Sequence, residues 1–149
     1  MVCTKVIILP GNGCANVLSC NWYGWLSTEL ASKFPTIDVV VRNMPDPYVA
    51  KESVWIPFIK NEMGADSSTI VVGHSSGAVC AMRLAETTEI HGLVLVSACH
   101  TDLGDENERA SGYFSRPWLW ESMRKNTQWY VTMEADGASG YYTCVFAEL

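Results

Sequence analysis

A parallel-sheet α/β fold is predicted by three features of the chain. Short continuous apolar runs, such as VIIL at 6–9 and LVLV at 93–96, read as strands buried on both faces. Segments with helical apolar spacing separate these runs, so strand and helix alternate along the chain. A serine bracketed by glycines, GHSSG at 73–77, sits where one run ends and a helical pattern begins. With 149 residues, the chain fits one domain with a sizeable core, read here as a single domain over 1–149.

The elements follow in order. KVIILP (5–10) is a buried strand, and GNG punctuates it. WYGWLSTELASKF (22–34) places Trp25, Leu26, Leu30 and Phe34 near one helical face, and Pro35 ends it. IDVVVR (37–42) is the second strand. DPYVAKESVWIPFIKNEMG (46–64) holds a helix from just before Ser53 to Met63, with Pro57 early or at a kink. STIVVG (68–73) is the third strand and SGAVCAMRLAETTE (76–89) the helix after it. GLVLVSA (92–98) is the fourth strand and QWYVTM (128–133) the fifth. The insert 99–126 is polar first and aromatic later. It follows the carboxyl end of a strand, the edge where ligands bind in open parallel sheets. Its Phe114, Trp118 and Trp120 either shape a pocket or lid, or pack a short helix onto the core.

Composition narrows the class. A hydrophobic fraction of 48% and a charged fraction of 17% mark a globular chain rather than a disordered one. The net charge of −6 argues against nucleic-acid and anionic-membrane partners. The apolar runs are too short to cross a bilayer, and the N-terminus lacks the apolar stretch of a signal peptide. A cytoplasmic or nucleocytoplasmic location is therefore expected. Six cysteines are present at 3, 14, 20, 80, 99 and 144, with no CxxC pair. They are expected to be reduced thiols, several of them buried. The three histidines, His74, His91 and His100, have no ligand spacing to a cysteine pair, so neither metal nor other cofactor is expected.

Gly73-His74-Ser75-Ser76-Gly77 matches G-x-S-x-G. A nucleophilic serine on a sharp strand-to-helix turn needs small residues two positions to either side. Ser75 alone of the two serines has glycine at both. The backbone N–H of Ser76 would point at a developing oxyanion from a helix N-terminus. A second donor would come from Asn12 or Gly13 in PGNGC (10–14), at the same sheet edge. The bland alternatives are a serine N-cap and an ordinary turn between strand and helix. PGNGC lacks the third glycine of a dinucleotide fingerprint.

The motifs PGNG, WYGW, NMPDP, GHSSG, LVSA, DLGDENERASGYF and RPW-W together resemble the retinoblastoma-binding protein 9 family, serine hydrolases of the α/β-hydrolase type, from about residue 5 to 126. The resemblance implies an α/β-hydrolase-like three-layer sandwich, a Ser-Asp-His triad with Ser75 as nucleophile, and small ester or amide substrates. Two departures stand out. Asp136 falls near the place of the family's acid but without its surrounding motif, and no histidine follows His100. The family's base and last helix are thus expected to be missing, as in a truncated or alternatively spliced product. The family's L-x-C-x-E motif would fall near 63–67, which read MGADS, so retinoblastoma binding by that route is not supported.

Of the remaining histidines, His74 lies within the elbow itself. His91 precedes the fourth strand at the far sheet edge. His100, with Asp102 two residues on, lies at the correct edge and is the candidate substitute base, against the alternative of a surface-loop histidine. Two functions remain open. One is a serine hydrolase of low activity working through Ser75. The other is a non-catalytic relative whose acidic and aromatic segment 101–120 binds a protein partner.

Overall fold

The computed structural model describes residues 2–135 and 142–148, the last seven as a strand. Six strands form one sheet in the order β2-β1-β3-β4-β5-β6. They are β1 (Lys5–Leu9), β2 (Asp38–Val41), β3 (Thr69–His74), β4 (Ile90–Val96), β5 (Thr127–Ala135) and β6 (Tyr142–Glu148). The first five run parallel, and β6 returns antiparallel beside β5. The five parallel strands match the sequence reading. The sixth was not expected, and it pairs with backbone groups that β5 would otherwise leave open along its edge.

The helices are α1 (Tyr23–Lys33), α2 (Glu52–Asn61), α3 (Ser76–Ala85), α4 (Glu106–Ser111) and α5 (Trp120–Asn126). On one sheet face, Trp55 and Ile59 of α2 and most of α3 pack with Ile7, Leu9, Val71, Leu93 and Leu95. On the other, Tyr23, Leu26 and Leu30 of α1 pack with Val6, Ile8 and Val72. These are the three layers predicted from alternating strands and helices. The predicted inner face of α1 is corrected in part. Leu26 and Leu30 pack inward, but Trp25 is 65% and Phe34 53% exposed. Beyond α1 this face carries an apolar groove of about 570 Å³, lined by Val6, Trp22, Leu26, Val94, Trp129 and Met133 among others.

Cysteine chemistry also differs from expectation. Cys14 and Cys20 are joined as a disulfide across a Cα–Cα distance of 6.2 Å, closing the loop after β1. Of the thiols expected to be reduced, Cys3, Cys80 and Cys99 are free, and Cys80 is buried. The sequence spacing of six residues carries no signal for this pair, because the chain must first turn back on itself.

Close approach of α3 to the sheet is set by Gly77. A Cβ there would lie 2.5 Å from the carbonyl oxygen of Pro10 and 2.6 Å from that of Leu9. Both are backbone atoms at the end of β1, so relief requires the helix to move. Gly77→Ala is expected to cost about 1–3 kcal/mol, the usual range for overpacking. Urea unfolding reads this directly, and an unchanged midpoint would contradict it.

Candidate functional site

The site is built at the carboxyl ends of β1, β3 and β4. Leu9 pairs with Gly73, and His74 pairs with Val96. Ser75 is the next residue, and its N–H donates to the Val96 carbonyl at 2.9 Å. Its backbone has φ 52° and ψ −120°, a conformation that side-chain-bearing residues rarely adopt. Strand β3 ends and helix α3 begins on either side of it, with no room for a gentler turn. The carbonyl of Ser75 then accepts from Ala78 and Val79, which starts the helix. Ser75 is half-buried, and no hydrogen bond reaches its Oγ among the described residues.

The loop after β1 faces the elbow. The Cβ position of Gly11 lies 3.3 Å from the Ser75 Cβ, so a side chain there would press on the serine. Gly11 N–H donates to the Tyr23 hydroxyl at 2.9 Å, and Asn21 Nδ2 donates to the same oxygen at 3.3 Å. That oxygen already accepts twice, so its own proton goes to His74 Nδ1 at 2.6 Å. His74 is thereby the Nε2–H tautomer, with Nδ1 held by Tyr23 of α1.

The candidate oxyanion donors separate once their partners are counted. Gly13 N–H donates to the Pro47 carbonyl at 2.7 Å, so its candidacy is corrected: that donor is already engaged. Among the described residues the N–H groups of Asn12 and Ser76 have no backbone acceptor outside the element ladders, and Ser76 opens α3, where the first N–H groups have no helical partner. The Asn12 side chain donates to Glu108 Oε1 at 3.1 Å, and Ser76 Oγ donates to the same oxygen at 3.4 Å. Burial, and then the charge of Asp105, push the Glu108 carboxyl above the usual carboxylate range.

His100 is exposed and makes no hydrogen bond to Ser75; its carbonyl accepts from Trp118 Nε1 at 2.8 Å. Asp102, two residues on, is engaged elsewhere and accepts from Arg109 Nε at 2.9 Å. His91 lies within β4 rather than before it, edge-on to Trp129. Asp136 lies outside the described residues. Among the described residues, no group of three or more His, Cys, Asp or Glu side chains gathers. No helix among them is long and apolar enough to cross a membrane.

Phe114 and Trp118 pack on the core beside α3 rather than forming a free wall. The reason is Arg83, a fully buried cation whose guanidinium lies 3.7 Å from the Trp118 ring centroid. It donates to the carbonyls of Tyr113 at 2.6 Å, Arg116 at 2.7 Å and Pro117 at 3.1 Å, and it pairs with buried Glu86. Arg83 thereby fastens the aromatic end of the insert to α3. Sequence reading missed Arg83, Glu108 and Tyr23. The ENERAS and WYGW segments containing Glu108 and Tyr23 were noticed, but their partners are 96 and 51 positions away.

One pH dependence follows from His74. Burial holds its imidazole below the ordinary value. The folded state therefore binds this proton less readily than the unfolded chain does. The stabilisation from neutral His74 is complete above about pH 6.5 and declines as pH falls from there toward the lower folded-state value. Glu108, with its raised value, works in the opposite sense at lower pH. Comparing urea unfolding of the parent and His74→Gln at pH 7.5 and 5.5 isolates the histidine. The variant should lose less stability on acidification, and equal losses would contradict the assignment.

No family model matches the chain. Serine hydrolase RBBP9 of Rattus norvegicus is 54% identical over 123 residues, covering 83% of this chain and 66% of the relative. The chain thus spans just under two thirds of that relative's length. The crystal structure of the ydeN gene product from B. subtilis superposes with a TM-score of 0.76 at 17% identity, covering 93% of this chain and 74% of that one. A putative yden-like hydrolase from Pectobacterium atrosepticum aligns over 62% of this chain with a TM-score of 0.44. The ydeN likeness fixes the α/β architecture, and the identity shared with the rat protein gives the descent: the chain belongs to the RBBP9 family of serine hydrolases.

Proposed function

We propose that the chain captures small esters or amides at Ser75, with the backbone N–H groups of Ser76 and Asn12 receiving the oxyanion. The observation that carries this is the backbone of Ser75, held at φ 52° between β3 and α3 with its hydroxyl free. Such strain persists only where surrounding packing enforces it. No histidine is hydrogen-bonded to Ser75 among the described residues, so the hydroxyl lacks a base. Capture is accordingly slow. A fluorophosphonate probe at micromolar concentration is expected to modify the chain over hours at Ser75 alone, as read by peptide mass. Labelling of Ser75→Ala at the parent rate, or no labelling of the parent, would overturn this reading. The alternative of a protein-binding 101–120 segment is less favoured, because Arg83 and the Arg116–Glu52 ion pair tie the end of that segment inward.

A further inference from the structure

We propose that Glu108 is a positioning residue that clamps the loop after β1 to the start of α3, holding the Asn12 and Ser76 amides in register over Ser75. This rests on the hydrolase reading above. Asn12 lies in the loop after β1 and Ser76 opens α3, with α1, β2, α2 and β3 between them in the sequence. No hydrogen bond joins them directly; each reaches the same Glu108 oxygen instead, Asn12 at 3.1 Å and Ser76 at 3.4 Å.

Glu108 is itself held from behind. The Asp105 carboxylate caps α4 by accepting from the Glu108 N–H at 2.9 Å, and Asn107 Nδ2 donates to the Tyr48 carbonyl at 3.0 Å. Helix α4 therefore spans the loops after β1 and β2, since Gly13 is bonded to Pro47 in the same cluster. A carboxylate oxygen can accept both donors at once, which a backbone N–H in that place could not. Two oxyanion donors act together only when both lie about 3 Å from one point, and a displaced loop forfeits one of them.

The titratable groups facing Glu108 are few. Asp105 stands at the head of its own helix, Cys99 follows β4, and Tyr113 follows α4. Burial pushes the Cys99 thiol up, and burial likewise raises the Tyr113 phenol, so both stay neutral where Glu108 titrates. The Asn12 side-chain amide therefore reports the Glu108 proton.

The test uses the 149-residue chain and two readouts. The first is the fluorophosphonate labelling rate of Ser75 in the parent, Glu108→Ala and Glu108→Gln. Glu108→Ala should slow labelling by at least about tenfold, given that a lost oxyanion donor costs about 10²–10³. Glu108→Gln retains an acceptor oxygen and should stay within about threefold of the parent. The second readout is the Asn12 side-chain amide in nitrogen-15 NMR between pH 4 and 7. It should titrate in the parent, with a midpoint above the ordinary Glu value, and be flat in Glu108→Gln. Parent-rate labelling by Glu108→Ala, or an Asn12 amide insensitive to pH, overturns the clamp. If the parent takes no label, the hydrolase reading fails, and the titration still decides whether the clamp exists.

Discussion

Ester turnover by this chain is expected to lie about 10⁶ below that of a hydrolase with its triad histidine in place. His74 Nδ1 accepts the Tyr23 proton, and His91 packs on Trp129 within β4. His100 is exposed, and Asp102 is paired with Arg109 instead of orienting it. A neutral serine hydroxyl is a weak nucleophile without a base. Oxyanion and binding terms alone leave about 10³–10⁴ over the uncatalysed rate in a triad enzyme stripped of its catalytic groups. Turnover of an activated ester should therefore be equally low in the parent, Ser75→Ala and His100→Ala. Imidazole added to the solution should raise the rate of the parent above that of Ser75→Ala, because it supplies a base to an otherwise prepared nucleophile. Robust parent turnover abolished by both substitutions would make His100 the base. Loss with Ser75→Ala alone would place the base elsewhere.

Arg83→Met is expected to cost about 3–5 kcal/mol of folding stability, the usual penalty for breaking a buried ion pair by removing one partner. Arg83 and Glu86 are both buried to within a few per cent of complete. Removing the guanidinium strands the carbonyls of Tyr113, Arg116 and Pro117, each of which accepts from it. It also leaves the Glu86 carboxylate with the Leu119 N–H and a 3.5 Å approach from Arg116 as its remaining partners. Typical domains have total stabilities of about 5–15 kcal/mol, so the loss is a large share. The double variant Arg83→Met with Glu86→Leu should recover part of it, because the uncompensated charge is then gone. Urea unfolding of the three chains checks both statements. A single variant within about 1 kcal/mol of the parent would show that the insert does not depend on this hub.

The exposed apolar groove beside α1 is expected to keep the stability of the chain modest. Val94, Trp129 and Met133 line open space on a sheet face that parallel strands normally bury. The apolar runs of these strands anticipate cover on both faces, and among the described residues α1 lies over only part of one.

The sequence by itself determined five parallel strands, helices between them, and Ser75 at a strand-to-helix turn, while the order of the strands in the sheet came from the tertiary structure. These follow from patterns a few residues long, namely apolar runs, helical spacing and glycines two positions from a serine. Element ends shifted by one to four residues, as when the helix expected to reach residue 89 stopped at Ala85. Tertiary structure alone decided which donors remain free and which histidines are engaged. The Gly13 N–H is engaged by the Pro47 carbonyl, Asp102 accepts from Arg109, and Cys14 is joined to Cys20. Likewise, Trp118 became a platform for Arg83, and Glu108 came to rest against Asn12. A side chain's chemistry depends on partners that meet it only after the strands have crossed over, and local periodicity records no distance between residues so far apart in the chain.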